Sequence, residues 1–265
     1  MKNFTSNEIQ NIINSYLSGV SKNKLRLDYN VSEGVIKRIL KENNIPIRQV
    51  QQSNKRKFNI DDTYFDNENS NMAYILGFWA ADGNVCSKSN RLDLELNSID
   101  IEILEKMKTE LKSERPIKIY QCKSGYVKNK LLFWSAPIKK KFIEYGIVPN
   151  KTYSSDFHAP YKLSKKYWID YIRGFFDGDG CVKKSKSLTF DLNCTNLKFL
   201  QDIQEFFLEY YNIETQISIA HAFPGELILY RLYCYGETAK KVYSILYTPN
   251  SLYLKRKYDR WNELL

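Results

Sequence analysis

ILGFWAADG at residues 75–83 and IRGFFDGDG at residues 172–180 are two versions of one nonapeptide, each running a mostly apolar stretch into Asp-Gly. The carboxylates Asp82 and Asp179 lie 179 − 82 = 97 residues apart, which marks a domain-sized duplication rather than a solenoid. Gly77 and Ala81 in the first copy, and Gly174 and Gly178 in the second, are four apart and share a helix face. Small residues there let two helix backbones come close. The spacing therefore predicts paired helices that set Asp82 and Asp179 side by side at their ends. Gly83 and Gly180 are expected to let the chain turn out of each helix without a Cβ penalty. A single Asp-Gly is common in turns; two in matching context point to a shared role.

The surroundings of the two copies repeat as well. After the first come a hairpin (GNVCSKSNRLDLELNS), a helix (IDIEILEKMKTELK), two strands (RPIKIYQCKSGYVKNKLLFWS) and a helix (APIKKKFIEYG). After the second come GCVKKSKSLTFDLNC, NLKFLQDIQEFFLEYYN, TQISIAHAFPGELILYRLYCY and GETAKKVYSILY in the same order. Each half therefore reads as αββαββα, an α+β fold with antiparallel sheets. In RLDLELN, Leu92, Leu94 and Leu96 alternate with Asp93, Glu95 and Asn97; in SLTFDLN, Leu188, Phe190 and Leu192 alternate with Thr189, Asp191 and Asn193. One face of each sheet must lie under helices, and the polar face is left for a wet partner.

Carboxylates forced together repel, and burial aggravates the repulsion, so a compensating cation is expected. Mg²⁺ takes oxygen ligands, often one or two carboxylates plus phosphate oxygens and water. That arrangement suits phosphodiester hydrolysis. The chain has 265 residues with 40 Lys and Arg against 30 Asp and Glu, a net charge of +10 that favours a polyanionic partner. Five scattered cysteines with no CxxC pair, and two histidines, argue against zinc and against a disulfide framework. No apolar stretch is long enough for a bilayer and the N-terminus has no signal-peptide pattern, so a reduced, cytoplasmic protein is expected.

Residues 1–48 read differently. Ser6, Ser21 and Ser32 open three short helices, the first with Ile9, Ile12, Ile13, Tyr16 and Leu17 on one face and stopping at Gly19. The last two helices resemble a helix-turn-helix: Val35, Ile36, Ile39 and Leu40 would pack inward, and Glu33, Gly34, Lys37, Arg38 and Lys41 would face a major groove. Residues 49–70 read as a basic extended linker, and the run Arg48, Lys55, Arg56 and Lys57 as an arm tracking DNA. Residues 71–152 and 153–265 are then the two halves.

Together the two motifs resemble those of a monomeric LAGLIDADG homing endonuclease, over about residues 70 to 262, and YGIVPNKT at 145–152 resembles the junction before such a second half. The resemblance implies a saddle of two sheets over double-stranded DNA and a monomer with no obligate protein partner. It implies Mg²⁺ at Asp82 and Asp179, with Ala81 and Gly178 in the metal site. Mn²⁺ would substitute, and Ca²⁺ would bind without supporting cleavage. Both strands would be cut across the minor groove to leave short 3′ overhangs, as in intron homing.

Supporting residues follow from the same resemblance. Glu95 and Asp191 match by strand phase the polar residue near each metal, and Lys130 and Arg231 are the nearest candidates for a basic residue late in the fourth strand. Asp177 stands where the first motif has Ala80 and is expected to face solvent or pair with a cation. Asn97, Asn193, Lys128, Lys183, Lys184 and Lys186 are candidate DNA contacts, as collectively are Lys123, Lys255, Arg256, Lys257 and Arg260. A transcription regulator on the same fold and an RNA maturase remain open alternatives. An intein is disfavoured, because the chain begins MKNF and ends WNELL without the splicing nucleophile or a terminal His-Asn.

Overall fold

The computed structural model describes residues 4–48, 57–184 and 187–264. The chain divides between Lys57 and Phe58 into two compact units. In the first, α1 (Ser6–Leu17), α2 (Lys22–Asp28) and α3 (Glu33–Glu42) surround Ile12, Ile13, Tyr16, Leu25, Ile36, Ile39 and Leu40. The cap of α1 is Thr5, not the expected Ser6: its hydroxyl accepts from Glu8 N at 3.3 Å, and Glu8 accepts from Thr5 N at 2.8 Å. That reciprocal box satisfies two backbone donors, which Ser6 one residue later could not do.

In the second unit α4 (Ser70–Asp82) is capped by Asn69, whose side chain accepts from Met72 N. Every residue from Met72 to Ala81 is buried, as expected of a helix apolar on all sides. There follow β1 (Gly83–Val85), β2 (Arg91–Asn97), α5 (Ile101–Glu110), β3 (Lys118–Gln121), β4 (Val127–Trp134) and α6 (Ala136–Glu144). The second half repeats the order with α7 (Trp168–Asp179), β5 (Gly180–Lys184), β6 (Leu188–Cys194), α8 (Leu197–Tyr211), β7 (Gln216–His221), β8 (Leu229–Tyr235) and α9 (Gly236–Leu246). A last helix, α10 (Lys255–Glu263), completes the unit.

Each sheet is antiparallel and four-stranded, ordered β1-β2-β4-β3 and β5-β6-β8-β7. The two share a topology because they share a pattern: Leu94 pairs Leu131 and Leu192 pairs Leu232 on the covered faces. The polar faces are less open than alternation implies. Asp93 and Asp191 are buried, because long cationic neighbours, Arg91 and Lys130 around Asp93 and Lys183 and Arg231 around Asp191, close over them.

Two further expectations differ from the structure. Residues 58–70 are not an extended linker. Ile60 and Phe65 belong to the core, Phe65 meets Phe142 edge-on at 5.0 Å, and Asp61 N donates to Leu111 O at 3.0 Å. Those two apolar residues, spaced within a polar run, decide the matter; residues 49–56 lie outside the described residues. Gly83 and Gly180 also do not turn through positive φ, since their φ values are −76° and −79°. Glycine is required because a Cβ would strike the Trp79 ring at 2.1 Å or the Phe176 ring at 2.1 Å.

The two motif helices meet backbone to backbone. A Cβ on Gly77 would lie 1.9 Å from Tyr171 O, and one on Gly174 would lie 2.0 Å from Tyr74 O. Carbonyl oxygens cannot yield as a side-chain tip can, so any larger residue must push the helices apart. Gly77→Ala and Gly174→Ala are each expected to cost about 3 kcal/mol by overpacking, read as a fall in the urea midpoint at unchanged slope. A loss below about 0.5 kcal/mol, the range of ordinary surface changes, would show that the contact is not tight.

Candidate active site

Both motif helices end on their acid, and their last turns touch: a Cβ on Gly178 would lie 2.3 Å from Ala81 Cβ and 3.3 Å from Asp82 Oδ2. Asp82 and Asp179 are exposed, so solvent reaches both carboxylates. Enough protein rings them to cost their anions hydration. Desolvation raises Asp82 above the usual carboxylate range against the pull of Lys257 and Lys151. Asp179 is raised to about 6, first by desolvation and then by the Asp82 charge. Among the described residues neither carboxylate accepts a hydrogen bond, and the groups that act on them do so through space.

Those groups are chiefly two lysines. Lys151, at the start of a short 3-10 turn after α6, donates to Gly83 O just beyond the end of α4. Lys257, on α10, is buried and donates to Phe176 O at 2.7 Å, Gly178 O at 3.1 Å and Gly180 O at 2.7 Å. Each ammonium thus sits at a helix C-terminus, where unpaired carbonyls and the helix dipole favour positive charge. Burial lowers both amines, Lys257 to about 8, although the neighbouring carboxylates pull the other way. Two anions are therefore faced by two cations supplied by the chain itself.

The supporting residues expected from strand phase lie elsewhere. Glu95 binds Lys128 at 2.9 Å and Lys130 at 2.7 Å and accepts from the Tyr120 hydroxyl. Desolvation would raise Glu95, but these partners outweigh it and hold it at about 2. Asp191 is taken by Arg231 at 3.7 Å and Lys183 at 3.8 Å. Lys130 and Arg231 are thus engaged with strand carboxylates, and Lys151 and Lys257 stand at the acids instead. Lys257 falls among the expected phosphate contacts in the sequence, and Lys151 within the YGIVPNKT junction. The available signal was their parallel placement, each after the third helix of its half.

Asp177 is neither exposed nor set in a simple ion pair. It is fully buried and accepts from the Tyr74 hydroxyl at 2.8 Å, the Tyr247 hydroxyl at 2.6 Å and Leu254 N at 2.7 Å. Arg48 is held inside the first unit, donating to Val20 O at 2.6 Å and lying over the Tyr16 ring at 4.0 Å, so it is not a free arm. Lys37 is exposed but bridges Glu33 at 3.1 Å, Arg38 lies 3.8 Å from Glu42, and Lys41 is exposed. Asn97 caps the turn after β2, and Asn193 lines a cavity of about 300 Å³ with Asp179, Lys151, Thr152 and Thr195. Lys57 is described and exposed. Lys55, Arg56, Lys186 and the Lys184 side chain lie outside the described residues.

The donor set suits a hard divalent cation. It offers two neighbouring, solvent-open carboxylates that accept no hydrogen bond among the described residues, which is oxygen chemistry of the kind Mg²⁺ takes with water and phosphate, although no group of three or more His, Cys, Asp or Glu lies together among those residues. The Gly178 carbonyl, expected as a ligand, already accepts from Lys257, which shifts weight to the carboxylates and water.

Residues 169–247 match the LAGLIDADG-like domain family. An uncharacterized Methanocaldococcus jannaschii protein, MJ0314, is 28% identical over 159 residues, covering 57% of this chain; the chain spans just over half, 56%, of that relative. Among solved structures, mesophilic variants of the homing endonuclease I-DmoI are 15% identical, with a TM-score of 0.49 over 75% of this chain and 97% of theirs. The N-terminal LAGLIDADG domain of DUF199/WhiA is 16% identical, with a TM-score of 0.45 over 71% of this chain and 91% of its own. The matched residues are the second half, α7 to α9 with the sheet β5-β6-β8-β7, and the first half repeats that order of helices and strands. No helix among the described residues is long and apolar enough to cross a membrane.

Asp179 holds its proton more tightly folded than unfolded, so its contribution to stability falls as pH rises from the ordinary carboxylate range through about 6. Without divalent cations, Asp179→Asn is expected to melt above the parent at pH 8 and to lose that advantage by about pH 4, the ordinary Asp value. The effect is modest because the side chain is exposed. Parallel melting profiles across that range would contradict the raised pKa.

Proposed function

We propose that this chain is a site-specific DNA endonuclease that hydrolyses phosphodiesters on both strands of a duplex at Asp82 and Asp179, with Mg²⁺ as cofactor. One observation carries the reading: two helices that meet backbone to backbone end in a pair of open carboxylates that have no hydrogen-bond partners among the described residues. A divalent cation there would activate water and stabilise the leaving oxygen. The chain's own part is to hold both carboxylates at one place, and to bring Lys151 and Lys257 close enough to favour the anionic forms and a bound phosphate. The polar sheet faces, with Asn193 beside Asp179, would track the duplex, and the exposed Lys37 and Lys41 of α3 would add contact to flanking DNA. The protein would act as a monomer, since both acids come from one chain.

A second reading has its own support. Lys151 and Lys257 already supply as many positive charges as the acids supply negative ones, so the pair is tolerable without a metal. A DNA-binding protein that does not cut would keep the same fold.

Duplexes selected from a randomised library for binding to the full chain separate the two readings. Mg²⁺ is expected to yield recurrent ends with short 3′ overhangs, and Asp82→Asn or Asp179→Asn to slow cleavage more than about 100-fold, above the loss from disturbing a ligand's supporting partner, with binding retained. A duplex bound tightly yet uncut with Mg²⁺ or Mn²⁺ would reject the endonuclease.

A further inference from the structure

The two copies of the motif differ in charge at the fourth residue from the end, Ala80 in the first and Asp177 in the second. A buried carboxylate is costly unless its hydrogen bonds are met. Asp177 has three, and two of its donors, the Tyr247 hydroxyl and Leu254 N, belong to the segment joining α9 to α10. One turn earlier on α7, the fully buried Arg173 holds the same region, donating to Leu246 O at 3.0 Å and Leu252 O at 2.8 Å, with Asp170 at 2.8 Å as counterion. Lys257 lies three residues beyond Leu254 and places its ammonium on three carbonyls at the end of α7.

The first half lacks this clamp. Tyr171, the counterpart of Tyr74 by the same spacing (171 − 74 = 97), has a buried hydroxyl with no partner among the described residues. That orphan is what the duplication leaves where Asp177 has no equivalent. Leu76 likewise stands in place of Arg173.

We propose that Asp177 is a positioning residue: it fastens residues 247–254 to the second motif helix and so fixes the Lys257 ammonium on the terminal carbonyls of that helix, beside Asp82 and Asp179. The role of that ammonium at the acids rests on the proposed function; the fastening does not. Neither the Asp177 carboxylate nor Arg173 needs to touch DNA or metal. Their effect reaches the site through the backbone between Leu252 and Lys257.

The test uses the full chain as Asp177→Asn, Tyr247→Phe, Lys257→Met and the Asp177→Asn/Lys257→Met double variant. Reductive methylation followed by peptide mass spectrometry reads the accessibility of the Lys257 amine. Asp177→Asn is expected to speed its labelling about tenfold by local opening, and Tyr247→Phe, which removes one hydrogen bond, by a smaller factor. Mn²⁺ alone is the probe of the site, its affinity read by electron paramagnetic resonance. Lys257→Met should tighten Mn²⁺ binding about tenfold by removing a nearby cation, Asp177→Asn should shift it the same way, and the double variant should show no further gain.

If Lys257 stays protected in both Asp177→Asn and Tyr247→Phe, or if the two effects on Mn²⁺ simply add, Asp177 is only structural and the proposal falls. Should Asp177→Asn fail to fold, the labelling of Tyr247→Phe decides. If no variant binds Mn²⁺, the metal reading of the acids fails, and the labelling still decides the fastening.

Discussion

The contact of Gly77 with the Tyr171 carbonyl, and of Gly174 with the Tyr74 carbonyl, is the constraint from which the second unit follows. Two helices that touch through their backbones have little freedom at their ends. Asp82 and Asp179, each five residues past the contacting glycine, must then lie together. Each helix leads at once into a strand, Gly83 into β1 and Gly180 into β5, so the same contact sets where both sheets begin. Fold and site are consequences of one interface.

Placing two carboxylates together creates an electrostatic debt, which the chain meets partly with lysines bound to helix-terminal carbonyls. Lys151 and Lys257 are held by backbone oxygens rather than by the acids, which leaves the carboxylates without hydrogen bonds among the described residues. A lysine that bridged the pair directly would occupy the place a cation needs. The arrangement lowers repulsion while keeping oxygen ligands available.

Much of this was legible in the sequence. The paired motifs gave the helices, the small residues four apart gave their interface, and the alternation in RLDLELN and SLTFDLN gave the sheets. What the sequence does not show depends on contacts between distant segments. Asp177 looks like a surface acid beside Gly178 until Tyr247 and Leu254 are seen to close over it. Lys257 sits in the charged run KRKYDR, where composition alone suggests a solvated face, yet its ammonium is buried. Strand phase favoured Lys130 and Arg231, but a cross-strand carboxylate claims each of them first. Local pattern identifies elements; it does not say which of several cations reaches an acid 78 residues away in sequence (257 − 179).

The most direct measurement is anomalous diffraction from crystals of the full chain soaked in Mn²⁺, with Asp82→Asn and Asp179→Asn crystals alongside. A single dominant peak between the two carboxylates in the parent, weakened in either variant, is the expected result. Mn²⁺ bound elsewhere, or a peak that survives both substitutions, would contradict the claim that the paired helix ends form a divalent-cation site.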